Sequence, residues 1–174
     1  MAVRLLQPLL LLVANVAFSL GHNIQNTPTP NVSYFGTMHL TFGDFLIVGN
    51  TPTGSPIITA TQAGNITGPD FEGQLALPAG DWAWVDSTNH IHIDGRYQFK
   101  LTDGSIIYVQ ATGVSPATGS ETDLPTKMYL RPSFLTGAEK YFYMNYMVST
   151  ALVRRNGLDL TLDIWEVTWP DVQR

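Results

Sequence analysis

Between residues 34 and 169 the chain is cut into ten short apolar or alternating runs: 34–42, 45–48, 56–61, 71–77, 81–85, 91–101, 105–112, 128–134, 141–152 and 158–169. Gly, Pro, Asn and Asp fill the gaps. Short runs at even spacing, separated by turn residues, are the pattern of an all-β sandwich or barrel. No window longer than about eleven residues sustains a helical period. The best helical window, 138–147, is rich in Tyr and Phe and fits a strand better.

With 174 residues, 44% hydrophobic and 13% charged, the chain suits one compact domain that needs no staple. It has no cysteine, which excludes thiol catalysis, Cys-ligated zinc and redox switching. Residues 1–19 carry Arg4, an apolar run and the small residues Ala17 and Ser19, and read as a secretory signal peptide. Residues 20–33 read as an exposed linker and 34–170 as the β domain. Two sequons, at Asn31 and Asn65, fit the same setting: ER lumen, vacuole or extracellular space. Cleavage removes Arg4 and takes the formal charge from −5 to −6 (8 basic minus 14 acidic). Neither a nucleic-acid partner nor a stable membrane span is expected after cleavage.

Two dipeptides fix hairpins, because Asp103-Gly104 and Asn156-Gly157 suit two-residue turns with positive φ. The first predicts Leu101–Ile106, Phe99–Tyr108 and Tyr97–Gln110 on an apolar face. On the other face it sets Arg96 against Ala111 and Asp94 against Gly113, with space beside the charged pair. The second predicts Val153–Leu160, Ala151–Leu162 and Ser149–Ile164 on the core face, with Arg154–Asp159 and Thr150–Asp163 outside. Farther from that turn Met147–Glu166 and Asn145–Thr168 would bring polar groups inward, while Val148–Trp165, Tyr146–Val167 and Met144–Trp169 bring bulk outward. Either a bulge flips the strand there or a partner subunit covers the outer aromatics.

Several side chains are candidates for chemistry. Asp94 with Arg96 is either a structural ion pair or a catalytic pair in which Arg96 stabilises an oxyanion and Asp94 holds its fork or moves a proton. Asp81 is either a turn residue or a general acid/base beside aromatic rings. Arg131 can answer either aspartate. Glu166 on the core face would be desolvated, the usual preparation of a general acid or base, unless a bulge turns it to water; Asn145 would orient a substrate oxygen. His90 and His92 share a strand face, but a third ligand is missing from any local motif and no metal site is expected. No nucleotide, flavin or triad motif is present. Trp82, Trp84, Tyr97 and Trp165 are candidates for contact with a flat hydrophobic ligand.

The stretch from about Val48 to Val148 resembles the family known as domain of unknown function 3237, or UPF0311. The resemblance rests on Gly68-Pro69 with Gly73, Gly80-Asp81-Trp82, Asp94 with Arg96-Tyr97, Asp103-Gly104, the Tyr129 to Arg131 strand, and Tyr143 with Asn145. It implies a single closed antiparallel barrel, here of about ten strands, often dimeric. With the leader, the chain resembles a secreted fungal member, and fungal members look like accessory proteins of natural-product pathways. Ala79 and Leu135 depart from the family pattern, the latter where an acidic residue is common. The combined expectation is a cofactor-free cyclase or isomerase acting on a hydrophobic intermediate, with dehydration followed by cycloaddition as one version. A non-catalytic carrier with the same pocket and a structural or effector protein are the alternatives, and a homodimer is compatible with each.

Overall fold

A computed structural model describes residues 28–116 and 125–170. The expected signal peptide and most of the expected linker lie outside the described residues. The chain forms β1 (Asn31–Ile47), β2 (Ser55–Thr67), β3 (Glu72–Val85), β4 (Ile91–Leu101), β5 (Ile106–Val114), β6 (Lys127–Leu135), a 3-10 helix (Glu139–Tyr146), β7 (Ser149–Asn156) and β8 (Asp159–Thr168). Each strand pairs antiparallel with the next, and β8 returns to β1, so the sheet closes into one barrel without a free edge.

The strands number eight rather than about ten because two of them run through bulges that look like turns. Runs 34–42 and 45–48 are both β1, whose register against β2 shifts between Phe42 and Phe45. Runs 71–77 and 81–85 are both β3, whose register against β4 shifts between Ala76 and Gly80. Bulges of this kind bend long strands around a barrel wall. β1 begins at Asn31, so the last residues of the expected linker are already strand. The window 138–147 is not a strand: its core is the 3-10 helix.

Both hairpin registers differ from expectation. Around Asp103-Gly104 the Leu101 N–H donates to the Ser105 carbonyl (2.8 Å) and the Gly104 N–H to the Leu101 carbonyl (2.9 Å), with Gly104 at φ 87°. This is a three-residue loop with glycine at the left-handed position. It slips the pairing by one: Phe99 faces Ile107, Tyr97 faces Val109, Arg96 faces Gln110 and Asp94 faces Thr112. The small partners Ala111 and Gly113 therefore do not lie opposite the charged pair. At the second hairpin Gly157 (φ 62°) and Leu158 form the turn, and Asn156 pairs with Asp159. The slip is two residues, which preserves faces: Val153 meets Leu162 and Ala151 meets Ile164, all buried. Arg154 forms its ion pair with Asp163 instead of Asp159. Because the 3-10 helix takes residues up to Tyr146, the polar and aromatic pairs expected beyond Ser149 do not form; Ser149 faces Glu166 and Thr150 faces Trp165.

The two barrel ends differ. At the end where β6 finishes, the 3-10 helix buries Tyr141 and Met144 over Phe35, Phe71 and Phe134. Ring centroids there are 5.1 Å apart for Phe35 and Phe71 and 5.0 Å for Phe35 and Phe134. Asn145 stitches this cap down: its Oδ1 accepts the Thr136 N–H (2.9 Å) and its Nδ2 donates to the Thr136 and Phe142 carbonyls. The opposite end has no such plug among the described residues, and a cavity opens there.

Candidate active site

Strand alternation decides what the lumen contains. On β4 the residues Ile91, Ile93, Gly95, Tyr97, Phe99 and Leu101 are buried, so His92, Asp94, Arg96, Gln98 and Lys100 face outward. On the final stretch of β3, Ala79, Asp81 and Val85 are buried while Trp82 and Trp84 are exposed. Asp81 is thus neither in a turn nor on the surface. It projects from a strand into the barrel and is 8% exposed.

The cavity beside Asp81 is walled by Phe42, Phe45, Ile57, Ile93, Met128, Leu130 and Leu162, with Thr59, Tyr97 and Arg155 as its polar contributors alongside Asp81 and Ser115. The cavity volume is about 60 Å³. One water needs roughly 10–15 Å³ on the same scale, so the cavity holds a few waters or the slender end of a molecule.

This setting controls the Asp81 carboxyl. Burial pushes its pKa from 3.8 up to about 7; a hydrogen bond from the Asp94 backbone N–H to Oδ1 (3.3 Å) opposes the rise, and the Asp94 charge adds to it. A carboxyl poised near neutrality can both take and give a proton. Beside it, Tyr97 is 1% exposed. Burial first, then the charges of Asp81 and Asp94, hold its phenol well above the ordinary value, so it is a neutral O–H donor. Thr59 sits with its hydroxyl 3.2 Å from the Gly43 and Asp44 carbonyls and pins the β1 bulge against the cavity.

Gly95 pairs with Asp81 and leaves room for the Tyr97 ring: a Cβ there would lie 2.2 Å from the Tyr97 hydroxyl oxygen. Gly95→Ala is therefore expected to displace Tyr97 and destabilise the fold by about 1–3 kcal/mol, as overpacking does. Urea unfolding measures this, and an unchanged midpoint would mean the ring lies elsewhere.

The other sequence candidates fall outside the lumen. Asp94 and Arg96 form a two-point ion pair on the outer face, Nη2 to Oδ2 at 2.7 Å and Nε to Oδ1 at 3.2 Å, and Gln110 Nε2 donates to Oδ1 at 2.7 Å. The Arg96 side chain is 50% exposed and lies 5.8 Å from the Trp82 ring centroid. Arg96 hydrogen bonding, opposed by partial burial and helped by Gln110, holds the Asp94 carboxyl below its usual range. The pair lies on the far side of the wall from the cavity, with only the Asp94 backbone reaching Asp81. Arg131 is exposed on β6, outward by alternation. Trp84 stacks on His92 at 4.6 Å, and His92 Nε2 lies 2.8 Å from Asp86 Oδ2, all on the outer rim. Glu166 keeps the core-side parity, half-buried between Ser33 and Ser149 toward the plugged end, far along β8 from the cavity-lining Leu160 and Leu162. Trp165 is half-buried on the outer side and Asn145 belongs to the cap. Asn31 is exposed, and Asn65 is half-buried on β2.

Of the expected residues, the structure brings Asp81 and Tyr97 together. Arg155 is the residue the sequence reading passed over, although alternation from Ala151 and Val153 places it on the core face. Among the described residues no group of three or more His, Asp or Glu is placed to hold a metal ion, and no helix is long and apolar enough to cross a membrane.

The family model described as a protein of unknown function, DUF3237, matches residues 30–167. A UPF0311 protein of Bradyrhizobium diazoefficiens is 29% identical over 152 residues, covering 81% of this chain and 99% of that protein. Among solved structures, a β-barrel-like protein from Acinetobacter baumannii superposes with a TM-score of 0.73 at 20% identity, covering 82% of this chain and 99% of that one. A structure described as an enzyme from Penicillium herquei gives 0.62 at 22% identity, covering 81% and 96%.

Proposed function

Because the chain belongs to the DUF3237 family of proteins of unknown function, we propose from its own lumen that it is a cofactor-independent acid/base enzyme. The observation that carries this reading is one carboxyl, Asp81, buried on the inner wall of an apolar cavity. Buried carboxyls without a fixed cation are costly to stability and are found where proton transfer is needed. In this mechanism the ionised Asp81 takes a proton from a carbon or hydroxyl of a hydrophobic substrate, and the Tyr97 hydroxyl donates a hydrogen bond to the oxygen on which charge builds. The protonated Asp81 then returns the proton at a second position, completing an isomerisation, or stays protonated while the nucleophile so formed closes a ring and returns it afterwards. Atoms balance without an oxidant or a cofactor. The enzyme description of the Penicillium herquei neighbour fits a catalytic reading and says nothing of the reaction. A secreted fungal setting with a glycan at Asn31 belongs to the same proposal, read by a mass shift on glycosidase treatment of the secreted protein and its loss in Asn31→Gln.

The test is deuterium wash-in at the α-carbons of trans-2-decalone in D2O, followed by NMR. Saturable exchange above buffer is expected, falling by roughly 10²–10⁴ in Asp81→Asn. Arg96→Met should leave it nearly unchanged, because that guanidinium is on the outer face. Exchange no faster than buffer would contradict catalysis and leave a carrier, which binds decalone without exchanging it.

A further inference from the structure

The lumen contains a second polar group whose chemistry the proton-transfer reading does not use. Arg154 and Arg155 are adjacent on β7, and alternation sends them opposite ways. Arg154 points out and is paired with Asp163. Arg155 follows Ala151 and Val153 onto the inner face and lines the cavity, its guanidinium 5.9 Å from the Phe45 ring centroid. Its backbone N–H is fixed to the Thr126 carbonyl at 2.9 Å. Among the described residues its buried Nε has no hydrogen-bond partner and Arg155 has no ion pair.

Burial of a guanidinium N–H without an acceptor is rare, because the donor loses water and gains nothing. It persists where an acceptor arrives from outside. In an eight-strand barrel closed in sequence order, β7 stands four strands from β3 by either route, so Arg155 and Asp81 belong to opposite walls. The lining between them is almost all apolar. We infer that Arg155 is the anion-recognition group of this pocket and that the ligand is a hydrophobic carboxylate, its two oxygens taking the side-on Nε and Nη donors while its apolar body lies against the apolar lining. The fork of donors matches a carboxylate in two points, which an ammonium does not. The inward Asp81 supports the assignment: kept neutral below about pH 7, it adds no opposing negative charge to the lumen. This inference deepens the proton-transfer reading by naming a substrate class, and it rests on the same cavity.

The experiment compares octanoate with octanamide, which has the same chain and no charge, by isothermal titration calorimetry near pH 6. The wild-type protein is expected to prefer octanoate by about tenfold or more, the scale of a charge-assisted pair. Arg155→Met should bring the two affinities together with octanamide unaffected, which also reports an intact fold; Arg155→Lys should recover part of the preference. The Arg155 Nε–H resonance, assigned by its loss in Arg155→Lys, should shift when octanoate binds. Equal affinities in the wild type, or a preference that survives Arg155→Met, would overturn the inference. If Arg155→Met does not fold, an unmoved Nε–H resonance overturns it. The two readings fail separately in the wild-type protein: an octanoate preference without decalone exchange would overturn only the proton-transfer reading, and decalone exchange with equal octanoate and octanamide affinities would overturn only this one.

Discussion

Asp81→Asn is expected to stabilise the protein at pH 8 by about 2–4 kcal/mol while stopping its proton transfer. In the unfolded chain this carboxyl titrates near 3.8; in the barrel it titrates at about 7. Between those values the folded state holds a proton that the unfolded state has released. Stability therefore falls as pH rises through this window and stays at the lower level above it. A shift of this size corresponds to about 4 kcal/mol at 1.36 kcal/mol per unit. Asn has nearly the same shape and no charge, so it removes the slope and lifts the plateau. Asp94 acts in a separate window: its lowered pKa contributes stability that is present above the ordinary carboxylate range and is lost as pH falls below it. Urea unfolding from pH 2 to pH 8 distinguishes the two. Parallel curves for wild type and variant would mean that Asp81 is ionised and hydrated at neutral pH. The stabilisation and the loss of exchange should occur in the same variant, as expected of an active-site group held at the expense of fold stability.

Phe134→Ala is expected to destabilise the barrel by about 3–5 kcal/mol, the range for emptying a buried aromatic site. Phe134 is 2% exposed, sits 5.0 Å from Phe35 by ring centroids, and joins β6 to the aromatic cap under the 3-10 helix. Nothing nearby can collapse into its place without unseating Phe35, Phe71 and Tyr141 together. At the open end, Phe45 borders the cavity and is only partly buried. Phe45→Ala should cost about 1–2 kcal/mol, because a half-buried ring removes less apolar surface from water. Similar losses for the two variants would contradict a barrel plugged at one end and open at the other.

The fold was legible because turn residues recur at regular intervals and most strands alternate cleanly. β4 is the clearest case, with Ile91, Ile93, Tyr97, Phe99 and Leu101 on one side and charged or polar groups on the other. That same alternation already sends Asp94 and Arg96 outward; expecting them beside a pocket depended on a register that the three-residue loop at Gly104 shifts by one. Asp81 was harder to place because both faces of its strand are apolar. Trp82 and Trp84 look like core residues beside Ala83 and Val85, yet the tryptophans lie outside, against Arg96 and His92. The cap was missed because AEKYFYMNYM has no apolar stripe that a one-turn periodicity can detect, and its anchor, Asn145, bonds backbone that sequence cannot position. Arg155 was legible by counting two residues beyond Val153, which hairpin reasoning concentrated on Arg154 did not do.

The most direct measurement is the titration of the Asp81 side-chain carbon by ¹³C NMR, assigned from its absence in Asp81→Asn. A midpoint near 7 is expected, as burial in the lumen dictates. A midpoint near 4 would put the carboxyl in water and leave the barrel without its acid/base group.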